Sequence, residues 1–132
     1  MYSEVLVPLD GSEASERALL HAQSLAHAFG ARVHLLQIIS LSDEYEAVRR
    51  GGDTPTVAEY LLDMARQLTA ARQTRAEVYL KAIAARLETN GIQVKTSVRQ
   101  GSTWENITDF IADNGIDLII MSTHGRSGLQ RF

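Results

Sequence analysis

Four stretches of strand-forming sequence, each divided from the next by a helix-forming stretch, leave this chain few ways to fold. Val5-Leu-Val-Pro-Leu9 is an apolar run closed by Asp10-Gly11, and Val33-His-Leu-Leu-Gln-Ile-Ile39 is a second. From Gln93 to Arg99 the pattern alternates, with Val94, Thr96 and Val98 on one face and Lys95, Ser97 and Arg99 on the other. Asp117-Leu-Ile-Ile-Met121 is the last run. Short apolar runs bounded by turn residues read as buried strands, and the alternating one as a half-exposed strand at an edge. Pro8 stands near the end of its strand, where a missing donor is tolerated. Strands that alternate with helices imply a mostly parallel sheet covered on both faces.

The intervening stretches carry helix signals. Ser12 is a cap with Glu13 and Glu16 at the positive end, and Ala18, Leu19, Ala22, Leu25, Ala26 and Phe29 form one stripe that Gly30 ends. Ser40 to Thr56, with Gly51-Gly52 and Thr54-Pro55, has no period and reads as a mobile loop. Val57 to Thr89 contains neither glycine nor proline. Its stripes, Leu61, Leu62, Ala65 and Leu68, then Leu80, Ile83, Ala84 and Leu87, do not join smoothly through Gln67–Ala76. One continuous helix there would be roughly 50 Å long, so it should kink, break or overhang. Asn90-Gly91 stops it. Ser102-Thr-Trp-Glu105 reads as a capping box opening a helix with Ile107, Phe110 and Ile111, which Asn114-Gly115 ends.

The fold class expected is therefore α/β: a single domain over residues 1–132, built as a three-layer sandwich around an open, mostly parallel sheet of Rossmann-like type. Ligands of such sheets bind beyond the carboxyl ends of the strands, at the point where strand order reverses. Asp10, Ile38-Ile39, Gly101 and Ser122–Gly128 lie at those ends.

Composition removes several classes. No apolar run approaches the ~20 residues of a membrane span. The formal net charge is −3 with no basic block, which disfavours nucleic acid as a partner. The absence of cysteine excludes disulfides, thiolate zinc sites and thiol catalysis, and fits a cytoplasmic protein. Met1-Tyr-Ser-Glu4 carries no basic stretch and does not read as a signal peptide.

Two places can carry chemistry. Asp10 reads either as a carboxylate for ribose hydroxyls or a base amine, or as ordinary Asp-Gly turn chemistry. In Ser122-Thr-His-Gly-Arg-Ser-Gly128, Gly125 and Gly128 permit close backbone approach, successive amides can form a concave anion site, and Arg126 adds charge. The other reading of that segment is a plain flexible loop. It is not a Walker loop, because no Gly-Lys-Ser/Thr follows. Ser127 sits one residue short of a Gly-x-Ser-x-Gly elbow, which disfavours a hydrolase. His21 and His27 do not share a helix face and His34 is on a strand, so no metal site is expected. His124 is placed to touch a phosphate but has no nucleophile beside it to serve as a base. A phospho-accepting receiver domain is disfavoured by the lack of further acids and a lysine around Asp10.

With these residues in view, the chain resembles the universal stress protein family from end to end. The resemblance is carried by Val5-Leu-Val-Pro-Leu-Asp-Gly-Ser12 with Glu13-Ala-Ser-Glu-Arg-Ala18, and by Asp117-Leu-Ile-Ile-Met-Ser-Thr-His-Gly-Arg-Ser-Gly-Leu129. It implies a sheet of order 3-2-1-4-5 of the adenine nucleotide alpha hydrolase-like type, a stress-responsive cytoplasmic regulator and a homodimer. Nucleotide-binding members of the family place adenine and ribose near the ends of the first two strands, here Pro8, Asp10 and Ile38. They hold phosphates with Gly-x-x-Gly, nine residues, then Gly-Ser/Thr. Candidate binding residues are thus Pro8, Asp10, Ile38, Met121, Ser122, His124, Gly125, Arg126 and Gly128. The implied ligand is ATP or AMP, with Mg2+ brought by the nucleotide; a cyclic nucleotide would also suit a weakened phosphate loop. At most slow ATP hydrolysis is implied, with no catalytic residue assigned. The chain departs from the pattern twice. Ser122 replaces the first glycine, and the second Gly-Ser/Thr, the final helix and the fifth strand would fall past Phe132. The expectation is an order of 3-2-1-4 with the fifth strand missing, and a tail beyond the sequence given that would cover the apolar edge. The competing expectation is a dimerisation or interaction module with a degenerate phosphate loop and no nucleotide.

Overall fold

The computed structural model describes residues 2–40, 55–123 and 126–131. In chain order these form β1 (Glu4–Pro8), α1 (Glu13–Glu16), α2 (Ala18–Phe29), β2 (Arg32–Ile39), α3 (Pro55–Thr89), β3 (Val94–Gln100), α4 (Thr103–Asn114), β4 (Leu118–Thr123) and β5 (Arg126–Arg131). Strands β1 to β4 are mutually parallel, as the alternation of strands and helices implies, and follow the order 3-2-1-4 that the family resemblance implies. The half-exposed β3 takes the edge beyond β2.

At the other edge the sequence reading needs correction. Residues 122–128 were expected to leave β4 as an open glycine loop, with no further strand. Instead β4 continues through Ser122 to Thr123, and β5 returns antiparallel to it, pairing Thr123 with Arg126 and Met121 with Gly128. The sheet therefore has five strands, the fifth antiparallel. An apolar strand left at a sheet edge presents unpaired amides and carbonyls, and the returning segment satisfies those of β4.

The pleat divides the core between two faces. Val5 and Val7 of β1 and Val33 and Leu35 of β2 pack on α2 and the second half of α3. Leu6 and Leu36, one residue out of phase, face Ile107 and Phe110 of α4. The single helix read from Ser12 to Phe29 is broken at Arg17 into α1 and α2. Gly30 and Gly115 end α2 and α4 in the left-handed conformation. Ser102 occupies the cap position of α4, but the expected capping box is absent: its hydroxyl makes no cap bond. Asn106 reaches the same end of the helix, but as a donor to carbonyls and not as a cap for amides, its Nδ2 donating to Ser102 O at 2.8 Å and Gln100 O at 3.1 Å.

Helix α3 is one element of 35 residues, opened by Pro55, where a missing amide costs nothing. At 1.5 Å per residue it is about 52 Å long. The eight residues of β2 span only about 26 Å at 3.3 Å each, so the helix overhangs rather than breaks. Ala76, Leu80, Ile83, Ala84 and Leu87 are buried, whereas Val57, Tyr60, Met64 and Leu68 are exposed. Of the loop read over Ser40–Thr56, residues 41–54 lie outside the described residues.

The carboxylate of Asp117 ties the starts of β1 and β4 together. Its Oδ2 accepts from Ser3 N at 2.9 Å and Ser3 Oγ at 3.1 Å, and its Oδ1 from Glu4 N at 3.2 Å.

Candidate functional site

The site begins with a missing hydrogen bond. Backbone amides of a strand point alternately to its two neighbours. Leu9 N donates to Leu36 O of β2 at 2.8 Å, so position 8 faces β4, and proline has no proton to give there. Pairing of β1 with β4 covers Val5↔Leu118 and Leu6↔Ile119 and goes no further. Beyond it the two strands part, at the position where strand order reverses, and a cavity of about 200 Å³ opens between them. Its lining includes Pro8, Asp10, Ile38, Met121 and Ser122. Ile107 and Thr103 of α4 and Leu36 close it from behind.

Asp10 sits on the rim, held by its own turn. Its Oδ1 accepts from Ser12 N at 2.9 Å and from the Ser12 hydroxyl. Ser12 Oγ in turn accepts from Ser15 N at 3.1 Å and caps α1. Asp10 N donates to Ser15 Oγ at 3.3 Å, and that hydroxyl donates to Ser12 O. Gly11 has φ +88, a conformation L side chains rarely adopt, which is why a glycine follows the aspartate. The hydroxyl of Ser12 first, and its amide second, hold the Asp10 carboxyl below its ordinary value of 3.8. The turn reading of Asp10 is thus realised, yet Oδ2 takes none of the hydrogen bonds of this turn and the residue is exposed. Both roles fit one side chain.

Across the sheet edge lies a second cleft, of about 520 Å³, also bordered by Asp10 and Ile38. It opens on the α3 side, against Arg72, Arg75 and Tyr79. The sequence reading did not mark these three. For Arg72 and Arg75 the signal was the failure of the apolar stripes to join through Gln67–Ala76: where the stripe lapses, α3 meets a cleft instead of core.

Of the remaining candidates, Arg126 and Gly128 stand in β5 opposite Thr123 and Met121, while His124 and Gly125 lie outside the described residues. The other histidines are dispersed: His21 and His27 are exposed on α2, and His34 is buried, 2.6 Å from Glu4 Oε2 and edge-on to Phe110. No group of three or more His, Cys, Asp or Glu suited to a metal ion occurs among the described residues. No helix among them is long and apolar enough to cross a membrane.

Comparison with known proteins explains this arrangement. The model of the universal stress protein family matches residues 1–132. The chain belongs to the universal stress protein family. Two curated universal stress proteins of Methanocaldococcus jannaschii are similar to it. MJ0577 is 31% identical over 139 residues, covering 98% of this chain and 82% of the relative. MJ0531 is 26% identical over 131 residues, covering 99% and 70%. The solved structure of MJ0577 superposes with a TM-score of 0.69 at 30% identity, over 92% of this chain and 74% of that one. A universal stress protein solved in complex with cAMP has a TM-score of 0.53 at 18% identity, over 91% and 75%. At that identity the likeness is one of fold alone.

Proposed function

We propose that this universal stress protein binds an adenine nucleotide, ATP or AMP, with the nucleoside in the crevice between β1 and β4, and acts as a ligand-responsive regulator in the cytoplasm, as a homodimer. One observation carries the reading: five residues singled out from sequence, Pro8, Asp10, Ile38, Met121 and Ser122, line one cavity at the strand-order reversal. Apolar Ile38, Met121 and Ile107 suit the faces of a purine, and the Asp10 carboxylate suits ribose hydroxyls. A neighbour of the same fold was solved with cAMP, which supports this ligand class. Mg2+, where needed, comes with the nucleotide, and no side chain here is assigned a catalytic role.

The second reading, an interaction module without nucleotide, is favoured by one feature. Met121 to Thr123 and Arg126 to Gly128 spend backbone groups on a strand pair in place of an open phosphate loop. Isothermal titration of the full chain with adenosine, AMP and Mg-ATP separates the two. Saturable binding of adenosine, weakened by Asp10→Ala, is expected; no heat with any of the three ligands establishes the second reading.

A further inference from the structure

We propose that the outer edge of β3, with the groove between it and α3, takes up an extended acidic segment of a partner protein as a further strand of the sheet. This edge lies across the sheet from β4 and β5, and its groove shares no lining residue with the crevice between β1 and β4.

Register leaves the edge open in a regular way. Val33 N donates to Gln93 O at 2.9 Å and Gly101 N to Ile39 O at 3.0 Å, so the odd-numbered residues of β3 turn their amides and carbonyls to β2. Alternation turns those of Val94, Thr96 and Val98 outward, where they meet no partner strand among the described residues. Gln100 is next in the series, and its carbonyl already accepts from Asn106 Nδ2. Seven residues long, β3 contains neither proline nor glycine. Of the common devices that close a sheet edge it carries charge, in Lys95 and Arg99.

The groove gives the side chains of an added strand a place. A cleft of about 550 Å³ runs between this edge and α3, lined by buried Leu80, by Thr96 and Val98 on the strand, and by Glu77 and Lys81 on the helix. Val94 and Val98 pack on the same core as Leu80. Alternate residues of an added strand lie along that apolar seam, and the others come beside Lys95, Ser97 and Arg99 on the opposite face.

Charge selects the occupant. Lys81 and Lys95 are exposed, and neither has a carboxylate within ion-pair distance among the described residues. Arg99 reaches Asp113 at 3.5 Å and lies 4.9 Å from the Phe110 ring centre. Glu77 is the one acid in the groove lining, and its Oε1 accepts from Gln73 Nε2 at 2.9 Å. The edge is thus basic in a chain whose formal net charge is −3. A second copy fits it badly. Antiparallel pairing of two β3 strands centred on Ser97 sets Lys95 opposite Arg99, and neighbouring registers still gather the cations of both copies on one face. The charges that repel a second copy attract an acidic strand.

The test uses a capped, fluorescent heptapeptide, Val-Glu-Val-Thr-Val-Glu-Val, and its counterpart with both glutamates replaced by lysine. Anisotropy titration of the full chain should show saturable binding of the acidic peptide, about tenfold or more tighter than the basic one at low salt and weakening as salt rises. Amide exchange followed by NMR reads the place. The acidic peptide should slow exchange at Val94, Thr96 and Val98 about tenfold or more, and leave Lys95, Ser97 and Arg99, already bonded to β2, unchanged. Thr96→Pro removes one outward amide, a change an edge tolerates, and should abolish binding. Lys95→Glu should reverse the preference between the peptides. Should Thr96→Pro fail to fold, the exchange pattern and Lys95→Glu decide. No binding, equal affinity for the two peptides, or protection elsewhere overturns the proposal. So does concentration-dependent protection of the three outward amides in the peptide-free chain, which gives the edge to a second copy.

Discussion

Asp10 divides the work of its two oxygens. Oδ1 accepts from Ser12 and fixes the turn, and Oδ2 lies outside that pair of hydrogen bonds. Asp10→Asn keeps an acceptor for Ser12 but removes the charge. It should lower nucleoside affinity about tenfold, the loss of one charge-assisted hydrogen bond, with a small change in melting temperature. The sign of its pH effect follows from the lowered carboxyl pKa. A group more acidic folded than unfolded stabilises the fold above its ordinary value of 3.8 and loses that contribution as pH falls through its folded value. Unfolding of wild type and Asp10→Asn should therefore differ at neutral pH and converge below about pH 4. A difference unchanged down to pH 2 would separate the carboxylate from the stability of the turn. Asp117 is the structural counterpart, with three accepted hydrogen bonds across two strands. Asp117→Ala should cost about 1–3 kcal/mol in urea unfolding, because it orphans the amides of Ser3 and Glu4.

Among the elements, α3 buries its apolar side chains chiefly in its second half, Ala65 in the first half being buried as well. Leu80 is fully buried on β2 and β3, whereas Leu68, three turns earlier, is exposed. Leu80→Ala should destabilise by about 2–5 kcal/mol, as core leucine truncations do. Leu68→Ala should stay within about 0.5 kcal/mol, as at an open surface position. Similar losses at both sites would mean that the overhanging half is packed as firmly as the rest. The same helix shows what periodicity can and cannot reveal. Its extent was legible because 33 residues from Val57 to Thr89 lack a breaker. That Arg72 and Arg75 border a cleft was not, since two arginines on a helix look alike whether they face water or a cleft. Ser102-Thr-Trp-Glu105 misled in the opposite way: the pattern was present, but the Asn106 amide reached the same end of the helix.

For the molecule as a whole, a mostly parallel sheet followed from alternation, which leaves few topologies, while the order of its strands came from the family resemblance. The family motifs supplied what alternation could not, namely which of several strand ends gathers the candidate residues. Pro8, Asp10, Ile38, Met121 and Ser122 are far apart in sequence and meet only because β1 lies between β2 and β4. The segment after β4 was misread because two glycines three apart suit a loop and a strand return equally. A ligand seated across β1 and β4 binds only the folded chain. AMP at 100 times its dissociation constant should therefore raise the unfolding free energy by about 2.7 kcal/mol, read by chemical denaturation with and without nucleotide. A midpoint indifferent to AMP would mean that the crevice is not its site.

The proline that parts β1 from β4 also bears on time. An opening made by an absent backbone proton cannot be shut by a side chain changing rotamer. The crevice is therefore standing open before any ligand arrives, and no fraction of the population has to be recruited into a competent shape. Capture should then be a single step whose observed rate climbs in proportion to nucleotide concentration, without the plateau that a preceding gate would impose.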